Sequence, residues 1–591
     1  MRKINNKGKN RMSVWKDETY KSRILFVVNT ISESLFDYSS DSAKVPALNL
    51  HFLCKEYLMM YNSWEEGAIS KGNLYPLIEE LDWAVKNNYL DNEKIQAAFQ
   101  QFYDANGRLN DVPNDFDFKI KHYKNYVEYL VELFETKDFY LNSLQQKILD
   151  SIFDTNWNEN DKHICYCCVR DLLVELISCG VSKASLYYKT ESFFDPVRQL
   201  KGTKDELELF FDSLLPRIKQ YDVIIGLSHK AYGILNPFAK HIRKAQPIEA
   251  LRLKCRYVME FSKVDACDAT SAMLGEKGFV LSLLSAINFN QHNIDVEIAK
   301  SGLVRKKGEK EFSYIKDPVN SLIKNKNKTT EENRKFVSTF IDNISHISEM
   351  LKVFELHDSA LSYKENTNQL LNLWTIIEIL IEMPQDSMDK INHICNVLIP
   401  ILNQKYLLDL IAKLYKDVNK VVKINDIVKQ QVNGNNQIEK FVFIMFEKGQ
   451  AYNDILDRLN GYDLYKYRLK MYAEEVFISS ERLCVFMEKH STRLRWQIMR
   501  IYRNRCMIVH NGENMPYIDT ILENLHYYVD VLIENLFDYY KKGMLYNESI
   551  YQETRVLSIC KKNLLVKEEK KKIQYLTLDA DTLVKYIFNK F

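Results

Sequence analysis

Glycine and proline are scarce in this chain, 17 and 11 among 591 residues. So few breakers favour long helices with short connections. No apolar run approaches the roughly 20 residues that span a bilayer; stretches such as FVLSLLSAI, from Phe279 to Ile287, stop well short. The basic opening MRKINNKGKNRMSVWK leads into no apolar segment of the kind a secretory leader needs. The formal net charge is only +2, so any surface for a polyanion must be local. A cytoplasmic protein without membrane association is the expectation.

The eleven cysteines are scattered, with one cluster, HICYCC from His163 to Cys168, and Cys179 beyond it. Zinc sites usually carry two spaced ligand pairs, and the second pair is missing here. The cysteines therefore read as reduced, partly buried thiols, with no metal and no cofactor expected.

What is present is a globular composition, 46% apolar and 27% charged, on a chain long enough for two to four domains. Residues 1–330 read as a mostly helical sensor or regulatory region, of one or two subdomains. PLIEELDWAVKNNYL, from Pro76 to Leu90, and IKHYKNYVEYLVELFE, from Ile120 to Glu135, have apolar residues at helical spacing. Ile24–Val28, Ser185–Lys189 and Val223–Leu227 are short, β-branched or aromatic, and read as strands of a small sheet. GLSHKAYG, from Gly226 to Gly233, sets Ser228 beside His229, but Lys230 stands where a nucleophile elbow needs glycine, so a plain loop is expected.

The charged segment from Val304 to Phe336, broken by Gly308 and Pro318, marks a boundary. Residues 331–545 then read as a helical bundle with an insertion at about 385–473, and 546–591 as a basic extension. In that extension KKNLLVKEEKKK, from Lys561 to Lys572, reads as a solvated helix face or tail. The bundle helices are expected at Arg334–His357, at Asn368–Met383, from about Glu474 to Val509, and at Tyr517–Tyr540. The fold class is thus mainly α, with a small sheet in the first part.

The third bundle helix carries the strongest charge bias. From Lys489 to Gly512 it holds six cations (Lys489, Arg493, Arg495, Arg500, Arg503, Arg505) and no acid. Arg493, Arg495 and Arg500 are candidate contacts to RNA phosphates. On a continuous helix Arg503 and His510 lie about 20° apart, while Arg505 and His510 lie about 140° apart. Arg505 and His510 converge only if the helix stops near Val509, and Asn511-Gly512 is a plausible stop.

This pattern resembles the HEPN superfamily, whose signature is an arginine followed by histidine four to six residues on, near the end of a bundle helix. The words around it look like the abortive-infection (Apea-like) group, with YxxRNxIVHxG matched by Tyr502, Arg505, Ile508, Val509, His510 and Gly512. LLNLWTIIEIL, from Leu370 to Leu380, resembles that group's earlier helix, with its aromatic and buried glutamate. One departure stands out. The family often has asparagine directly after its arginine, but Cys506 follows Arg505, whereas Asn504 follows Arg503. The choice between Arg503 and Arg505 stays open at this point.

The resemblance implies a HEPN-like bundle that cuts RNA, often tRNA, without metal, as an antiviral, abortive-infection or toxin-like effector. It implies a composite site in a homodimer or higher homo-oligomer, with RNA as substrate and a phage-encoded trigger. Arg505 or Arg503 with Asn504, together with His510 and Glu378, would be its catalytic group. Glu378 either orients the arginine or histidine or pairs with a bundle cation, and Trp374 reads as core. The alternatives are a catalytically silent dimerisation or RNA-binding module, and a helical adaptor that docks an acidic protein.

Overall fold

The computed structural model describes residues 19–35, 48–67, 69–90, 93, 116–153, 156–195, 200–235, 240–291, 298–316, 330–343, 349–362, 365–382, 390–512, 517–569 and 572–590. The chain is mainly helical with a small antiparallel sheet.

The first part contributes α1 (Lys21–Ser34), α2 (Leu50–Glu65), α3 (Tyr75–Lys86), α4 (Phe116–Glu135), α5 (Phe139–Phe153), α6 (Glu159–Ser178), α7 (Lys183–Phe193) and α8 (Lys204–Leu214). Two of the three expected strands are helices. Ile24–Val28 lies in α1, where all five residues are buried because α6, α7 and a later helix surround it. A helix apolar all round cannot be told from a buried strand by periodicity. Ser185–Lys189 lies in α7, whose start is set by Ser182, its hydroxyl accepting the Ser185 N–H at 3.1 Å.

The sheet follows as β1 (Lys219–Leu227), α9 (His229–Leu235), β2 (Ile242–Lys244), α10 (Pro247–Leu253), β3 (Tyr257–Ala266), α11 (Ala269–Gln291), β4 (Ile298–Lys306) and β5 (Ser313–Lys316). Val223–Leu227 is a strand as expected. The order is β2-β3-β1-β4-β5, antiparallel throughout, with Ile225 opposite Met259 and Val223 opposite Val304. Helix α11 packs one face through Met273 and Val280, and α10 covers the other through Leu253. Ser228 caps α9, its hydroxyl accepting the Ala231 N–H at 3.2 Å.

Then come α12 (Thr330–Asn343), α13 (Glu349–Ser362), α14 (Asn366–Leu380), α15 (Lys390–Val422), α16 (Asn425–Gln430), α17 (Gln437–Glu447), α18 (Gln450–Arg458) and α19 (Asp463–Lys470). The chain closes with α20 (Ser480–Asn511), α21 (Ile518–Tyr540), α22 (Asn547–Asn563), β6 (Val566–Glu569), β7 (Lys572–Tyr575) and α23 (Ala580–Phe588). The stretch Arg334–His357 is divided between α12 and α13, and the expected Pro318 break and Met383 end lie outside the described residues.

The cores cut across the sequence boundaries. One core joins α1–α8 to α13, α14, the start of α15, the second half of α20 and α21. A second joins the end of α15, α16–α19 and the start of α20 to β6 and α23. The C-terminal segment is therefore packed, with Leu565, Leu583 and Ile587 buried. KKNLLVKEEKKK is not a solvated tail: it ends α22, and Leu565 and Val566 then sink into the second core. Helix α15 is long and apolar enough to cross a bilayer by length and composition, yet half of its most apolar window is buried in protein.

Candidate functional site

Helix α20 brings the candidate residues into register. Ser479 caps its start, accepting the Arg482 N–H at 3.2 Å. Gly512 ends it at φ +69°, donating its N–H to the Ile508 carbonyl at 3.1 Å. That left-handed turn suits glycine because it has no Cβ to clash. The helix thus runs past Val509 and through His510, and Arg505 and His510 stay about 140° apart around it. The stop that would make them converge within one chain does not occur.

Burial separates the two arginines. Arg503 is 1% exposed, and its Nη2 donates to Glu56 Oε1 of α2 at 3.0 Å. Arg500, equally buried, donates through Nε to Glu56 Oε2 at 3.0 Å and also to Glu80 of α3. Burial pushes the Glu56 carboxyl up, but the Arg500 and Arg503 guanidiniums outweigh it and hold the group below the usual carboxylate range. Burial wins at Glu80, which is held above its ordinary value despite Arg500. Asn504 is also buried and donates to the Arg500 carbonyl at 2.9 Å.

Arg500, assigned above to RNA, and Arg503 with Asn504, kept above as catalytic candidates, therefore face the interior. Arg500 and Arg503, unlike Asn504, which bonds within the helix, tie α20 to the first part of the chain. Their partners stand more than 400 residues away in sequence, and no local pattern could have announced the pairing.

Arg505 is the arginine of the pair that reaches solvent. Its side chain is about 30% exposed, and its Nη2 lies 3.8 Å from Glu378 Oε1 of α14. The same Glu378 oxygen accepts the Trp374 indole N–H at 2.9 Å, one helical turn back. Trp374 is core, its ring 5.7 Å from Tyr502 of α20. Tyr502 and Cys506 complete this layer: burial raises the Cys506 thiol and pushes the Tyr502 hydroxyl up to about 12. Glu378 therefore pairs with a bundle cation, and that cation is Arg505. His510 stands exposed in the last turn beside exposed Val509.

Arg493 and Arg495 are exposed on the same helix, Arg495 donating to Asn392 Oδ1 at 3.2 Å. Arg493 also lines a cavity of about 210 Å³ between α3, α6 and α20, with Trp83, Asp171, His490 and Trp496. His490 stacks on Tyr406 with ring centroids 3.4 Å apart, and burial lowers its pKa to about 3. It is a neutral core imidazole.

Among the described residues no three His, Cys, Asp or Glu side chains are placed to hold a metal ion. The HICYCC cluster winds around α6, where Cys165 and Cys168 are buried. Its His163 is hydrogen-bonded between Tyr89 and Tyr467, at 3.1 and 2.8 Å. No family model, curated protein or solved structure matches this chain.

Proposed function

We propose that the chain is a metal-independent endoribonuclease of the HEPN type, acting as an antiviral, abortive-infection or toxin-like effector. One observation carries the reading. A solvent-reaching Arg505, 3.8 Å from Glu378, and an exposed His510 stand near the end of one bundle helix.

RNA supplies its own nucleophile, the 2′-hydroxyl beside each phosphate. His510 takes or gives the proton, the general acid–base role that imidazole fills most often in such sites. Arg505 offers forked donors to the phosphoryl oxygens as negative charge builds. Glu378 approaches the guanidinium at 3.8 Å. Exposed Arg495, about 80° from Arg505 and about 60° from His510 around the helix, adds a cation for the RNA backbone between them, while Arg493 lies on the far side. The products are a 2′,3′-cyclic phosphate and a 5′-hydroxyl.

The 140° divergence of Arg505 and His510 supports a site assembled from two chains, each supplying what the other lacks. Transfer RNA is the first substrate to try, with a phage-encoded trigger for release of activity. The same divergence also favours the runner-up, a silent RNA-binding or dimerisation module.

The deciding measurement is cleavage of labelled tRNA and unstructured RNA in EDTA, with and without lysate of infected cells. Cleavage lost in both His510→Ala and Arg505→Ala supports the enzyme. RNA binding without cleavage, indifferent to His510→Ala, moves the conclusion to the binding module.

A further inference from the structure

Lys561 sits in the last turn of α22, within the stretch whose sequence reads as solvated, yet it is 8% exposed. Among the described residues no carboxylate pairs with it, whereas the adjacent Lys562 takes Glu568 at 2.9 Å. An ammonium has three donors. The Lys561 Nζ gives one hydrogen bond, to the Gln404 carbonyl at 3.2 Å, and lies 4.7 Å from the centre of the Tyr586 ring. Burial lowers its pKa to about 8. A buried cation without a counter-charge is costly, and a ligand that brings the missing charge recovers that cost.

The lysine lines a partly open cavity of about 170 Å³ between α15, α20, α22 and α23. Asn403 lines it too, and its amide orientation is fixed. The single hydroxyl hydrogen of Ser491 is given to the Met487 carbonyl at 2.9 Å, so Ser491 Oγ must accept from Asn403 Nδ2 at 2.8 Å. Asn403 Oδ1 is left buried with no partner. The one acid on the lining, Glu488, is exposed and acts on Lys562. The cavity thus combines an uncompensated cation with an orphan acceptor, and its volume admits more than a few waters.

We propose that this cavity binds a small oxyanion that carries a hydroxyl, of the phosphate or phosphate-monoester class. The anionic oxygen takes the Lys561 ammonium, and the ligand O–H donates to Asn403 Oδ1. The site clamps the C-terminal segment onto α15 and α20, and it is independent of the ribonuclease reading.

The test is thermal unfolding of the full chain in inorganic phosphate, glycerol phosphate and sulfate, at matched ionic strength against chloride. A saturable upward shift of Tm is expected with both phosphates, because a ligand of the native state alone stabilises it. A larger shift with glycerol phosphate assigns the site to an organic monoester, and an equal one assigns it to phosphate itself. Sulfate has no O–H at neutral pH and should shift Tm much less. Lys561→Met should abolish the response. If that variant fails to fold, Asn403→Asp, which sets a like charge in the cavity, should abolish it instead. No shift in the wild type, an equal shift with sulfate, or an undiminished response in a folded variant overturns the proposal.

Discussion

Single side chains decide which half of the basic helix meets solvent. Arg500 and Arg503 spend their charge on Glu56, whose side chain is wholly buried. Removing one partner of a buried pair strands the other, at a cost of about 3–5 kcal/mol. Glu56→Gln should therefore lower stability to urea by about that amount, and a change under 1 kcal/mol would contradict the assigned network. Asp171 gives a second prediction. Burial raises its pKa from 3.8 to about 7, with Arg170 opposing the rise and Glu175 adding to it. The folded state then binds the proton more tightly than the unfolded chain, so stability falls as pH climbs from about 4 to 7 and stays low above. Asp171→Asn should be more stable than wild type at pH 8, with the gap closing towards pH 4. Urea midpoints across that range would read it. Arg505, His510 and Glu378 were legible in sequence as candidates and Trp374 as core; the 3.8 Å approach of Arg505 to Glu378 and the exposure of His510 were not. The choice between Arg503 and Arg505 was not, because it turns on Glu56, which no local pattern connects to α20.

At the scale of elements, the periodicity of α3, α4 and α21 was legible because each presents a polar face as well as a buried one. Helix α1 has no solvated face to betray its period, and Ser185–Lys189 alone is too short to show one, its helical start being set by Ser182 three residues before it. Helix α20 offers a test of what holds His510. Gly512 is left-handed, a conformation that costs an ordinary residue about 1–2 kcal/mol. Gly512→Ala should fray the last turn, with faster amide exchange over residues 506–511, while Gly512→Asn should exchange more slowly than the alanine variant. Equal exchange in all three proteins would show that the cap does not govern the turn.

At the scale of the molecule, the boundary near residue 330 separates chain segments but not cores. Residues 331–591 made alone would leave Arg500 and Arg503 without Glu56 and Glu80, and would bare the faces of α20 and α21 that meet the first part. That fragment should be insoluble or molten by near-ultraviolet dichroism and rescued by co-expression with residues 1–214. A well-folded monomer would refute the shared core. The sequence could suggest an insertion near 385–473 but not that one helix would serve both cores. Helix α15 does, burying Ile394–Leu402 in the first and Tyr406–Val418 in the second. Because it is one continuous helix, with about 50 Å of rise and Pro400 inside it, the phase of its turns sets how one core is clocked against the other. Inserting a single residue between Leu402 and Tyr406 would swing the second core about 100° around the helix, whereas seven would return it to within about 20°, some 10 Å farther out. Changes of length are thus quantised at this junction, and descendants of this chain that lengthen α15 by one or two residues would have to rebuild every contact that crosses it.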